Sequence, residues 1–200
     1  HSHGGTRYSS LGLGIGLELR PTADCSSRLG LELQRRALFS NPLLSGRYGG
    51  LHVSWGCQPR AELLSADSGW LETPQWQVLL RLGQDQPTRA ERPGGAQTQA
   101  SLRSVASLRG PSLAGGLRAP SQWLLDVELS QYQDASGYSP LLDHDRLRRT
   151  TRLSARLEVQ QALRHGLELV AGAEWVQQRA SLLLFKLQSW GPYAALRVLW

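Results

Sequence analysis

The sequence has no Met, one Lys (Lys186), one Ile (Ile15) and two Phe among 200 residues. Without Met, position 1 is not an initiator, and the chain is read as processed or cut from something longer. It begins on His1 with neither a basic n-region nor an apolar h-region, so it shows no signal peptide. No uninterrupted apolar run approaches the roughly 18 residues of a membrane helix, which excludes a helical membrane protein. A membrane barrel is not excluded, because its alternating strands escape hydropathy averages. With Lys nearly absent, the net charge of +6 rests on Arg spread along the chain. The densest run, Arg146, Arg148, Arg149 and Arg152, shares its segment with Asp143 and Asp145. That dispersion argues against nucleic acid as a partner.

What the chain does have is a period of two. In residues 11–19, every odd position is a large aliphatic and every even one is Gly or Glu. Such alternation is a strand with one apolar face. It recurs through Leu29–Leu33, Leu51–Trp55, Trp76–Leu82, Trp123–Leu129, Leu153–Val159, Leu167–Trp175 and Ala194–Trp200, and weakly through Ala100–Leu108. About nine strands result, most of them long enough for the ~9–11 residues of a tilted membrane strand. The Leu-, Arg-, Gln- and Glu-rich composition leans helical by propensity, and residues 143–163 could pass for a helix. A helical register through Leu153, Leu157, Gln160 and Arg164, however, puts polar groups on the core face. The two-residue period keeps the faces apart, so the fold class expected is all-β.

Alternation does not say which face looks at lipid, and a soluble lipocalin-like barrel has the same period. Three features favour a membrane. The polar face carries charges of both signs: Glu18, Arg20, Glu32, Arg36, Arg81, Asp126, Glu128, Arg152, Arg156, Glu158, Glu168, Glu174 and Arg197, with His52 beside them. This suits a wet or ion-paired lumen. Five of the seven Trp (Trp55, Trp76, Trp123, Trp175 and Trp200) fall on the apolar face near strand ends. Indole settles at bilayer interfaces and forms aromatic girdles there. Finally, Tyr193-Ala-Ala-Leu-Arg-Val-Leu-Trp200 resembles the aromatic-ended C-terminal strand of Gram-negative outer-membrane barrels. That resemblance implies recognition by the barrel-assembly machinery and a periplasmic position for Trp200.

Counting back from Trp200 assigns the connections. Residues 164–166, 110–120, 58–75 and 21–27 are expected in the periplasm. Residues 134–149, 84–97, 40–46 and 1–10 are expected outside. Trp55, Trp76, Trp123 and Trp200 then share the periplasmic boundary, and Trp175 lies at the outer one. The strand count is odd, whereas single-chain bacterial barrels have even counts. Either a strand is missed, with residues 60–66 the best place, or the chain is the C-terminal part of a larger barrel. Residues 1–200 are accordingly read as one β-barrel domain that lacks upstream strands or an N-terminal periplasmic domain.

The site candidates are few. Cys25 is expected in one periplasmic turn and Cys57 at the mouth of the next, and an oxidising periplasm allows a disulfide between them. Their spacing fits no zinc motif. Asp143-His144-Asp145 could bind a metal or take part in hydrolysis, but it reads better as a solvated outer loop. His1 and His3 could hold copper only at a true amino terminus. Gly12, Gly14 and Gly16 lack the spacing and following helix of a nucleotide loop, and read as small lumen-facing residues. Arg92-Pro93-Gly94-Gly95 is turn chemistry. No catalytic residue, metal or cofactor is expected.

The last sixty or so residues run from the loop Gly137-Tyr-Ser-Pro-Leu-Leu142 through a basic run and two strands around a tight turn. They continue through Ala180-Ser-Leu-Leu-Leu-Phe185 to an aromatic-ended strand. This layout is similar to the C-terminal barrel of the surface lipoprotein assembly modifier family, and to barrels fused to tetratricopeptide repeats in exopolysaccharide export. The resemblance implies a non-enzymatic, porin-like outer-membrane barrel that conducts or assembles lipoprotein or polysaccharide cargo.

Overall fold

The structure is a computed structural model that describes residues 8–38, 41–58, 72–110, 112, 120–141, 143–163 and 166–198. Among the described residues, period-two alternation produces nine strands: β1 (Tyr8–Leu19), β2 (Cys25–Leu38), β3 (Gly46–Cys57), β4 (Glu72–Pro87), β5 (Gln97–Gly110), β6 (Ser121–Gly137), β7 (Leu147–Ala162), β8 (Leu167–Ala180) and β9 (Leu187–Val198). They form a single sheet in sequence order, every neighbouring pair antiparallel. The only helical pieces among the described residues are three-residue 3-10 turns at Pro42–Leu44, Asp143–Asp145 and Leu183–Phe185. Residues 143–163, which could pass for a helix by propensity, are instead that turn followed by β7.

The ladder registers carry the alternation across all nine strands without a phase error. Leu17 stands opposite Leu29, Leu29 opposite Val53, Val53 opposite Leu80 and Leu80 opposite Leu102. The row continues through Leu129, Leu153 and Gln177. A one-residue slip in any pair would turn one strand's leucines to the other face. Among the described residues, irregularities occur only near strand ends, between Glu72 and Gln75 and between Gln133 and Gly137.

The burial is inverted relative to a water-soluble sheet. Outward leucines are open, with Leu13 79% exposed, while Glu158 on the other face is 2% exposed. Even the few buried apolar strand residues (Tyr48, Val170 and Val176) lie on the charged face. Side chains from next-but-one strands meet there, as Arg156 on β7 does with Tyr193 on β9. The sheet is therefore concave on its charged side. That face is less uniformly polar than the sequence reading held, since Leu79, Val105 and Leu124 also point inward.

Several boundaries differ from expectation. Strands run past the loop limits set by polarity alone: β4 reaches Pro87, β6 reaches Gly137, β7 starts at Leu147 and β9 at Leu187. Backbone pairing continues there beyond the apolar stretch. Cys25 is not in a turn but opens β2, directly opposite Cys57, which closes β3. Residues 60–66, the expected place for a missed strand, lie outside the described residues. β3 and β4 are direct antiparallel neighbours from Gly46↔Pro87 to Cys57↔Trp76, so no strand lies between them. With nine strands alternating in direction, β1 and β9 run the same way, and each has a single strand neighbour among the described residues. The two longest connections, 58–71 and 111–120, leave at the same end as the tight connections 20–24 and 163–166, so loop length does not orient the sheet.

A charge-paired concave face as the candidate functional site

The concave face is organised by ion pairs between neighbouring strands. Glu18 accepts hydrogen bonds from Arg28 at 2.8 Å and Arg20 at 3.0 Å. Arg103 on β5 grips Asp126 on β6 with both ends of its guanidinium, at 2.9 and 2.6 Å. Arg197 on β9 donates to Glu168 on β8 at 2.9 Å. Paired fork geometry of this kind fixes side-chain direction as well as charge. Glu32, His52, Arg81, Glu128, Arg152 and Glu174 occupy the same face by register but hold no ion pair among the described residues. Every residue expected to line the interior thus stands on the concave side, and the structure joins about half of them into pairs.

The most buried network centres on Glu158. Its carboxylate accepts from the Tyr193 hydroxyl at 2.6 Å and from the Gln160 amide at 2.6 Å, and it pairs with Arg156. Arg156 in turn donates to the Tyr193 hydroxyl at 2.8 Å, and its guanidinium lies over the ring, 5.4 Å from the centroid. Gly172 on β8 makes this possible. A Cβ there would lie 2.7 Å from the Tyr193 hydroxyl and 2.5 Å from the Leu157 carbonyl oxygen. The glycine is a slot through which the β9 tyrosine reaches β7. Tyr48 repeats the device on the other side, lying over Gly50 and Gly83. His52 lies over Gly30, where a Cβ would come within 2.6 Å of its Nε2. The period-two pattern places these glycines and His52 on the charged face, but which side chain each glycine accommodates is not legible from it.

At one end the concavity opens into a cavity of about 830 Å³. Its walls come from β1 through β6, with Glu18, Arg20, Gln77, Ser107, Arg109 and Gln122 among them. The Cys25–Cys57 disulfide sits on its rim. At the opposite end the connections pack on one another. Arg92 and Asp85 form a buried ion pair at 2.8 Å, against Gly46. Arg148 donates to Asp134 at 2.9 Å and spreads over the rings of Tyr138 and Phe185, which meet edge to face at 4.9 Å. Ser181 ties the 181–186 connection to β7 by accepting from the Arg149 amide at 2.9 Å and donating to the Leu147 carbonyl at 2.8 Å.

The convex face carries the five described tryptophans. Trp55, Trp76 and Trp123 lie toward the disulfide end, and Trp55 and Trp76 meet edge to face at 5.2 Å. Trp175 lies near the other boundary, directly opposite Trp190, which the sequence reading passed over. Trp200 is outside the described residues. From Leu11 to Leu19 the apolar run on β1 spans about 27 Å of strand. At a tilt of about 40° that is roughly 20 Å of thickness, near the ~25 Å apolar band of outer-membrane barrels.

His144 is exposed on a left-handed backbone (φ 53°) in the Asp143–Asp145 turn. No group of three or more metal-ligating side chains occurs among the described residues. Comparison of the chain with protein-family models, with curated proteins and with solved structures finds no match.

Proposed function

We propose that this chain builds the wall of a β-barrel in the outer membrane of a Gram-negative bacterium, and that the charged concave face lines a polar path for cargo or solute. The observation that supports it is the inverted burial: an ion-paired carboxylate and guanidinium interior backs an exposed, Trp-edged leucine exterior. Water would penalise that exterior across nine strands, whereas lipid solvates it. A soluble ligand-binding barrel would place its leucines on the concave side instead. The protein is read as a non-enzymatic channel or translocation factor, folded by the barrel-assembly machinery acting on the strand ending at Trp200. The similarity in layout noted above makes lipoprotein or polysaccharide the proposed cargo. The test is the full-length protein refolded in detergent and then in planar bilayers. Heat-modifiable gel mobility and discrete, salt-dependent conductance are expected. A species that is monodisperse without detergent and adds no conductance would overturn the reading.

A further inference from the structure

The convex face has a charge asymmetry of its own. Among the strand residues whose side chains are described, no Asp or Glu stands at an outward position; those carboxylates point inward. Four arginines do point outward: Arg35, Arg47, Arg149 and Arg179. All four are exposed, and all stand at the end away from the disulfide, just past the last leucines and Trp175. Outward positions at the disulfide end carry no charge: Cys25, Cys57, Trp76, Ser121, Trp123 and Gln161.

These arginines differ from those inside. Arg28, Arg103, Arg148, Arg156 and Arg197 each hold a carboxylate. None of the four outward ones has an ion-pair partner among the described residues. Arg35 and Arg47 are direct cross-strand neighbours, an arrangement in which like charges repel. Arg149 and Arg179 are diagonal neighbours on β7 and β8, because Thr151 stands opposite Arg179 and Ser181 bonds Arg149. Gln84, Thr98 and Gln131 occupy outward positions of β4, β5 and β6 between the two pairs, and Thr151, Gln177 and Gln188 stand beside and beyond the second pair; all supply hydrogen-bonding groups. A guanidinium fork fits a phosphate with two parallel hydrogen bonds, and two forks side by side lose their repulsion when they share one anion.

We infer that this arginine level is a docking surface for phosphate-bearing anionic lipid headgroups in the leaflet at the end assigned to the cell exterior. The inference rests on the membrane reading above, because only a bilayer brings headgroups to that height on the convex face. Basic residues at a charged membrane surface each strengthen attachment about fivefold. Retention of such a lipid is therefore expected to fall by about 100-fold or more when all four are neutralised.

The test uses the full-length protein in nanodiscs of phosphatidylcholine doped with phosphatidic acid, with bound lipid counted by native mass spectrometry. The wild-type protein is expected to retain phosphatidic acid over phosphatidylcholine. The variant with Arg35→Gln, Arg47→Gln, Arg149→Gln and Arg179→Gln should still insert but lose that preference. A control with Arg89→Gln, an exposed arginine of the β4–β5 connection, should keep it. Equal retention by the fourfold variant, or no preference in an inserted wild-type protein, overturns the headgroup site alone. Displacement of the lipid by millimolar inorganic phosphate would assign the site to the free anion and also overturn it. Failure of the wild-type protein to insert at all would remove the membrane reading together with the site.

Discussion

Replacing Leu157 with Arg asks directly which face of this sheet meets lipid. Leu157 is in the middle of β7, points outward, is 48% exposed, and stands between Leu125 on β6 and Ala173 on β8. It lies two residues from Val159 and four from Leu153 on the same face, close to the centre of the apolar band. An arginine at the midplane of a membrane barrel costs about 2–4 kcal/mol, a factor of roughly 30 to 900 in the folded population. With a urea slope of about 2 kcal/mol/M, the unfolding midpoint should drop by about 1–2 M. If the convex face met water, an exposed Leu→Arg change would stay within about 0.5 kcal/mol. The assay is urea unfolding of the vesicle-reconstituted protein followed by tryptophan fluorescence, with Gln122→Arg as the partner measurement. Gln122 lines the cavity at the disulfide end and is exposed, so arginine there should leave the midpoint nearly unchanged. A Leu157→Arg midpoint equal to wild type, or a larger drop for Gln122→Arg, would refute the assignment of faces.

Two further outcomes follow from the concave side and a third from the disulfide at the strand ends. Tyr193→Phe removes the hydroxyl that links Arg156 to Glu158 and should cost about 1–3 kcal/mol in the same unfolding assay, because Glu158 stays buried. Gly172→Val fills the slot beneath Tyr193 and should destabilise by about 1–3 kcal/mol; combining it with Tyr193→Ala should recover part of that loss, and additive losses would argue against the slot. Cys25→Ser removes a bridge closing a loop of sequence separation 32. Chain entropy sets that loss at up to about 3.7 kcal/mol. Thiol labelling of the denatured, unreduced wild-type protein should find no free cysteine, and two labelled thiols would exclude the bridge.

Where the strands run, how polarity alternates along them and which side chains share a face are legible in the chain alone. A period of two is a local property of the backbone, so Leu11–Leu19 and Leu153–Val159 declare their faces without knowledge of any neighbour. That the set from Glu18 to Arg197 shares one face, and Trp55, Trp76, Trp123 and Trp175 the other, follows from that alone. The meeting of residues far apart in the chain depends instead on the folded sheet. Pairing register placed Cys25 opposite Cys57, and Trp175 opposite Trp190. The curl of the sheet brought Tyr193 across Gly172 to Glu158, and Arg148 from β7 between Tyr138 and Phe185 of two connections. Strand ends were also set by pairing, since β6 and β9 extend through polar residues whose backbone groups find partners but whose side chains break the apolar pattern. Alternation fixes direction within a strand, but the choice of partner, and the curvature that makes one face an interior, depend on the summed contacts of all nine strands.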